Sequence, residues 1–109
     1  MAEPRVRYGD LIEYDTPDSL DDLHGPVTGT VRVKPHIDTS PNPVYDLTDP
    51  ARLRSLYGRL VRDGTPREQV ALLNKSTLFR LWPDLTLPER CRTTWTLRFP
   101  QLLLDGGLS

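Results

Sequence analysis

The spacing of apolar residues changes at Pro50, and this change constrains the fold of the 109-residue chain more than any other feature. Before Pro50, apolar and polar residues alternate over short runs, a pattern typical of half-buried strands. After Pro50, apolar residues recur at intervals of three and four, which is typical of amphipathic helices. We therefore expect an α+β fold, in which a small N-terminal antiparallel sheet packs on a C-terminal bundle of three to four short helices. A chain of this length has room for one hydrophobic core, which predicts a single domain over residues 1–109.

The strand-rich half comprises residues 1–50. Residues 6–14 alternate apolar and polar side chains and predict a first strand. Residues 27–33 predict the clearest strand, and we expect one face of it to be buried. That face carries Val27, Gly29, Val31 and Val33. Residues 44–47 are predicted to pair with the edge of a strand. Between the first two strands, Thr16 and Pro17 predict the cap and first turn of a short helix.

The helical half comprises residues 51–102. Asp49 and Pro50 predict a cap and first turn for a helix over 51–62, and Gly64 suits a left-handed stop after it. The apolar stripe of this helix consists of Leu53, Leu56, Tyr57, Leu60 and Val61. Because these residues lie on one side of the helix, we expect them to face the core.

Two capping boxes predict the starts of later helices. Thr65-Pro66-Arg67-Glu68 introduces a helix over 66–73, and Thr86-Leu87-Pro88-Glu89 introduces the last helix. Between them, Asn74 either caps or interrupts the chain, and residues 78–82 form a third apolar turn that Pro83 ends. The buried line of the last helix is predicted to be Cys91, Trp95, Phe99 and Leu102.

The charged residues are distributed unevenly between the two halves. Residues 1–50 hold four basic and ten acidic side chains, whereas residues 51–101 hold ten basic and four acidic ones. The two segments thus carry −6 and +6, although the net charge of the whole chain is only −1. This asymmetry has three interpretations: the halves attract each other within one domain, or the basic half binds nucleic acid, or it binds an acidic protein.

The sequence lacks a complete catalytic or metal-binding motif. His24 and His36 lie twelve residues apart, without the helical ligand spacing of metal sites. Neither a phosphate-binding glycine loop before a helix nor a Gly-x-Ser-x-Gly turn occurs. The only cysteine, Cys91, forms no internal disulfide; Arg90 and Arg92 beside it either make it reactive or flank a small buried residue. We therefore expect a protein that is not an enzyme and uses no cofactor.

The location of the protein is predicted from what the chain does not contain. No stretch of about 18 apolar residues occurs, and the first five residues lack the apolar core of a signal peptide. A cytoplasmic protein without membrane contact is expected. The single cysteine fits the reducing conditions of that compartment.

Binding of a partner protein is the preferred function. The predicted contact surface is an arginine-rich helical face that meets an acidic surface, with an aromatic anchor supplying apolar contact. Its arginines are Arg52, Arg59, Arg62, Arg90 and Arg92. The anchor is predicted to be Trp82 or Tyr45, although core packing is the alternative role for the tryptophans.

DNA binding is the alternative function. The predicted helices over 51–62 and 66–73, joined by Asp63-Gly64-Thr65, are similar in outline to a helix-turn-helix. The side chains available for contact with DNA are Arg67, Gln69 and Lys75. A helical hairpin that packs its own core explains the same pattern.

Several phrases in the C-terminal two-thirds resemble small uncharacterised proteins of high-GC Gram-positive bacteria that occur beside nucleotidyltransferase-type toxins of the abortive-infection class. The phrases are Tyr45-Asp46-Leu47-Thr48-Asp49-Pro50, Leu56-Tyr57, Arg62-Asp63-Gly64-Thr65-Pro66, Leu81-Trp82-Pro83-Asp84-Leu85-Thr86-Leu87-Pro88, Trp95 and Arg98-Phe99-Pro100. The resemblance spans residues 19–102 and implies an antitoxin or accessory protein that binds a cognate toxin or enzyme. The chain shows no winged-helix pattern of the kind found in better-known antitoxins of such systems, which argues against autoregulation through DNA.

Overall fold

The computed structural model describes residues 14–103 and has an α+β fold. Two short strands, β1 (Thr30–Arg32) and β2 (Val44–Asp46), form an antiparallel sheet. The helices that follow are α1 (Pro50–Asp63), α2 (Pro66–Leu72), α3 (Lys75–Leu81) and α4 (Glu89–Arg98). Two 3-10 turns, Leu20–Asp22 and Trp82–Asp84, precede the sheet and follow α3. The predicted order of a small sheet before a set of short helices is confirmed.

The sheet is shorter than the sequence predicts. In the observed register Thr30, Val31 and Arg32 face Asp46, Tyr45 and Val44. The predicted pairing of residues 44–47 is thus confirmed for Val44–Asp46, whereas the strand predicted over 27–33 is wrong at its start. Gly29 adopts a φ of 89°, which breaks the alternation, and Val27 is 55% exposed. The strand predicted over 6–14 lies outside the described residues, except Tyr14, which belongs to neither a strand nor a helix.

The short helix before the sheet begins later than predicted. Ser19, not Thr16, caps the 3-10 turn, since its Oγ accepts a hydrogen bond from the backbone N–H of Asp21 at 3.1 Å. Leu20 is buried by this turn. After the turn, His24 and Gly25 donate backbone hydrogen bonds to the carbonyls of Val70 and Leu73, which attaches the N-terminal segment to α2.

Helix α1 confirms the predicted cap and apolar stripe. The carboxylate of Asp49 accepts hydrogen bonds from the backbone N–H groups of Ala51 and Arg52. The five stripe residues named above are all buried. The left-handed stop at Gly64 is wrong, because this residue is extended with φ −75° and ψ 153°. Glycine is required there for space: a Cβ would lie 2.7 Å from the Leu60 carbonyl oxygen.

One of the two predicted capping boxes forms. Thr65 and Glu68 exchange the expected side-chain to backbone hydrogen bonds at the start of α2, and Asn74 caps α3 by accepting from the N–H of Thr77. The box predicted at Thr86 is wrong, since α4 has Pro88 as its N-cap and lacks a side-chain cap. Pro88 remains extended with ψ 146°, so the helix begins two residues later than a Thr86 cap requires.

The apolar line of α4 is buried as predicted. Cys91, Trp95, Phe99 and Leu102 all belong to the core cluster. The ring centroids of Trp95 and Trp82 lie 6.2 Å apart, within the range of favourable aromatic pairs. Burial raises the pKa of the Cys91 thiol to about 11, despite the nearby positive charges of Arg62 and Arg92. Cys91 is therefore a packing residue, and the alternative of a reactive thiol is wrong.

The helices meet at the last carbonyl groups of α1, which a helix leaves without intrahelical partners. Trp95 Nε1 and Cys91 Sγ donate to the Val61 carbonyl at 3.2 and 3.7 Å. The fully buried Gln69 donates from Nε2 to the carbonyls of Leu60 and Gly64 at 3.0 and 3.1 Å. We call the carbonyls of Leu60, Val61 and Gly64 the α1 carbonyl end. Side chains from α2 and α4 converge on it.

Replacing Gln69 by methionine is expected to lower the free energy of unfolding by about 1–3 kcal/mol, the cost of a buried carbonyl without a donor. The Gly64 carbonyl loses the donor Nε2, whereas the Leu60 carbonyl keeps the backbone N–H of Gly64. The shape of the side chain is preserved, so the loss reports the hydrogen bonds of Nε2. Urea denaturation measures it. Arg67→Met, at an exposed position of the same helix, is the control and should change stability by less than about 0.5 kcal/mol. Equal stabilities of the two variants would contradict the proposed role of Gln69.

Two glycines should respond in opposite directions to alanine. Gly58 lies inside α1, where an added Cβ would meet only the Thr86 carbonyl oxygen at 3.8 Å. Gly58→Ala should therefore raise the free energy of unfolding by about 0.5–1 kcal/mol, the difference in helix propensity. At Gly25 the Cβ would lie 2.2 Å from the backbone carbonyl of Leu72, so Gly25→Ala should lower stability by about 1–3 kcal/mol. Thermal and urea unfolding of both variants check the signs.

Candidate functional site

Three of the five arginines predicted to meet a partner donate to backbone carbonyls of other segments, and two of them also stack on aromatic rings. Arg52 donates to the Val44 carbonyl at 2.9 Å and stacks on Tyr45, with its Cζ 4.3 Å from the ring centroid. Arg92 donates to the carbonyls of Trp82 and Leu85 and stacks 4.9 Å above the Trp82 ring. These guanidinium groups fix β2 to α1 and the Trp82–Asp84 turn to α4.

The predicted aromatic anchors lie in the core. Tyr45 is fully buried and Trp82 is 3% exposed, so neither ring offers an apolar surface to a partner. The alternative of core packing is correct for Trp82 and also for Trp95, which is fully buried. The prediction failed for Tyr45 because Arg52 covers the ring while the edge of the sheet packs on α1.

Arg59 connects α1 to the loop between the strands. Its Nη1 donates to the Ile37 carbonyl at 3.2 Å and its Nε to Ser55 Oγ at 3.5 Å. In the same loop the Tyr45 hydroxyl donates to Asp38 Oδ2 at 2.6 Å. This bond, together with hydrogen bonds from Ser40, lowers the pKa of Asp38 to about 2. The burial of Tyr45 and its bond to Asp38 raise the pKa of the phenol. The loop is thus held by charge-assisted hydrogen bonds.

The residues predicted to contact DNA do not form one exposed surface. Gln69 is fully buried at the α1 carbonyl end and cannot reach a base without breaking its hydrogen bonds. Lys75 pairs with Asp21, with 2.5 Å between Nζ and Oδ1. Arg67 alone of the three is exposed and makes no side-chain hydrogen bond with the described residues. Of the side chains predicted to contact DNA, only that of Arg67 is therefore available on the surface.

Arg62 and Arg59 contribute to a groove on the outer side of α1. The groove has a volume of about 340 Å³ and separates α1 from the segment after α3. Its lining residues are Ala51, Arg54, Ser55, Gly58, Arg59, Arg62, Asp84 and Thr86. We call it the arginine groove. Arg90 lies elsewhere, beside Tyr14 and Pro88 at the start of α4, so the five predicted arginines do not share one face.

The groove arginines retain hydrogen-bond donors. Arg62 uses Nε for Asp63 Oδ2 at 3.0 Å, and Arg59 uses Nε and Nη1 as described above. Arg54 is exposed, and no hydrogen bond joins its guanidinium to another of the residues 14–103. Because a guanidinium carries five N–H donors in a planar fork, each of these groove-lining arginines has N–H donors without an acceptor among the described residues. The groove is therefore suited to bind an anionic group.

The sequence prediction named two of the eight groove residues, Arg59 and Arg62. It missed Ala51, Arg54, Ser55, Gly58, Asp84 and Thr86. Helical spacing contained part of the signal, because Arg54, Gly58 and Arg62 follow one another at intervals of four and lie on one stripe of α1. Thr86 was not predictable in this way, since it comes from a different segment that packs across Gly58, with its carbonyl oxygen 3.8 Å from the position of a Cβ there.

Residues 14–103 contain no group of three or more His, Cys, Asp or Glu side chains that could hold a metal ion. In the same part of the chain, none of the helices combines the length and the apolar character needed to cross a membrane. Comparison with models of known families, with curated proteins and with solved structures finds no match.

The bond between Tyr45 and Asp38 predicts a pH dependence of stability. Because folding lowers the pKa of Asp38 from 3.8 to about 2, this group stabilises the fold above pH 4, and its contribution disappears as the pH falls towards 2. The stability difference between the parent chain and Asp38→Asn should therefore shrink over this range. Urea unfolding from pH 5 to pH 2 measures it. Tyr45→Phe should reduce the same pH dependence; parallel curves for all three proteins would contradict the assignment.

Proposed function

We propose that this chain is a noncatalytic protein-binding module whose arginine groove docks a negatively charged surface of a partner protein. The observation that carries the proposal is a concave site lined by three arginines, Arg54, Arg59 and Arg62, whose guanidinium groups have more N–H donors than acceptors among residues 14–103. By the resemblance described above, the partner is a cognate toxin or enzyme and the chain an antitoxin or accessory protein that occludes it.

The charge of the basic half supports this function, because most of its cations have no carboxylate partner among the described residues. Arg62 pairs with Asp63 of the same half. Lys75 and Arg98 pair with Asp21 and Asp18 of the acidic half, and the Arg98 pair is long at 3.9 Å with Asp18 almost fully exposed. Exposed pairs of this kind contribute little stability. Among residues 14–103, ion pairs between the two halves thus involve few of the charged side chains. The remaining positive charge attracts an acidic partner and favours its selection.

The groove differs from the predicted helical face in being concave. On a concave surface, a protruding acidic side chain of a partner loses water and meets several guanidinium groups at once, which strengthens each charge-assisted bond. The arginines fixed in the fold, Arg52 and Arg92, supply charge at longer range. Short-range selectivity is therefore assigned to Arg54, Arg59 and Arg62.

Reversal of charge in the groove should abolish partner binding. In Arg54→Glu/Arg62→Glu, we expect loss of co-purification with the product of the adjacent gene when both are expressed from the native operon, because groove and partner then repel each other. The amount of partner that co-purifies with the parent chain should fall as the salt concentration rises. Pull-down followed by mass spectrometry, and calorimetry of the purified pair, measure the loss.

The matched control is Arg67→Glu/Arg80→Glu, which changes the charge equally at two exposed positions on α2 and α3. It should retain the partner. A parent chain recovered alone as a monomer would count against the proposal. If only Arg67→Glu/Arg80→Glu loses the partner, the contact lies on the surface of α2 and α3 instead of the groove.

A further inference from the structure

The floor of the arginine groove is formed by Gly58. This residue lies on α1 midway between Arg54 and Arg62, about 6 Å along the axis from each, at a rise of about 1.5 Å per residue. The absence of a side chain at this point leaves open the space between the two arginines. Helix propensity favours alanine here, and a Cβ would meet no atom closer than 3.8 Å. Packing therefore does not require glycine, whereas an open groove benefits from it.

The far wall of the groove is held in place. Asp84 and Thr86 belong to the segment between α3 and α4. Arg92 donates to the carbonyls of Trp82 and Leu85 on either side of Asp84. This second wall is thus fixed by hydrogen bonds before any ligand arrives, and a fixed wall lowers the entropic cost of binding.

The groove has the donors and the size for one compact oxyanion. Three guanidinium groups and the Asp84 carboxylate line it. Because Arg62 also pairs with Asp63, about one positive charge is left without a carboxylate among the described residues. The volume of about 340 Å³ lies within the range of small-molecule sites. A planar carboxylate occupies one arginine fork. A phosphate group has charge of about −1.5 to −2 at pH 7 and three strong acceptor oxygens, which match several forks as well as the hydroxyls of Ser55 and Thr86.

We infer that the arginine groove binds a phosphomonoester group over Gly58, with Arg54 and Arg62 closing on its oxygens from either side. The group belongs to a free phosphorylated small molecule or to a phosphorylated side chain of the partner. The inference deepens the proposed function and rests on it for the location of the site. It concerns the isolated chain, so it is tested without the partner.

Titration of the isotope-labelled chain with phenyl phosphate, followed by amide NMR shifts, tests the inference. We expect saturable shifts centred on Gly58 and Thr86, and at least about tenfold weaker binding of benzoate, since one charge-assisted hydrogen bond contributes about 1.5–3 kcal/mol. Lowering the pH from 7.5 to 5 should weaken binding of phenyl phosphate, because the second phosphate pKa is about 6. Benzoate binding equal to that of phenyl phosphate would overturn the inference.

Matched variants locate the site. Gly58→Leu fills the floor and should abolish the saturable shifts, whereas Gly58→Ala should keep binding within a few fold. Arg54→Gln/Arg62→Gln should lose at least about tenfold in affinity by the same hydrogen-bond estimate, and Arg67→Gln/Arg80→Gln should not. Circular dichroism and unfolding midpoints establish that each variant folds. Saturable shifts that persist in both Gly58→Leu and Arg54→Gln/Arg62→Gln would contradict the assignment of the site to the arginine groove.

A short peptide with a central phosphoserine distinguishes the two sources of the phosphate. Tighter binding of the peptide than of phenyl phosphate supports a phosphorylated partner, and the reverse supports a small molecule. If the chain retains its partner but binds no phosphate, the phosphate inference is contradicted and the docking function is still supported. If the chain binds phosphate but retains no partner, only the docking function is contradicted.

Discussion

The architecture depends on the way the α1 carbonyl end is satisfied. A helix end inside a protein leaves carbonyls that cost free energy unless a donor reaches them. Here the donors come from two other helices, Gln69 on α2 and Trp95 with Cys91 on α4. Because the same side chains are buried in the core, hydrogen bonding and packing fix the helices together. The geometry of all later segments follows from this junction.

The arginine groove is a consequence of that arrangement. With the apolar stripe and carbonyl end of α1 turned inward, its opposite side is left to face the segment between α3 and α4. Arg92 holds this segment through two carbonyls and the ring of Trp82. An arginine that sequence reasoning assigned to partner contact thus positions one wall of the site. Its effect on binding is exerted through the backbone at Asp84 and Thr86.

Local signals predicted the helices better than the sheet or the site. The cap at Asp49, the stripe of α1 and the capping box at Thr65 depend on residues within one or two turns, so the sequence contains all the relevant information. The start of β1 depends on the positive φ of Gly29, and the start of α4 on the extended Pro88, neither of which follows from periodicity. The arginine face was misjudged because charge counts do not reveal where backbone carbonyls of other segments will lie.

Arginines that donate to carbonyls keep their positive charge. A carbonyl accepts a hydrogen bond from a guanidinium without cancelling its charge, so Arg52, Arg59 and Arg92 stabilise the fold and keep their positive field. Pairing with a carboxylate, as for Lys75 and Asp21, removes that field at a distance. The basic half therefore combines structural arginines with a strong positive potential. At the arginine groove, guanidinium donors have no acceptor among residues 14–103, and the proposed anion binding rests on these donors.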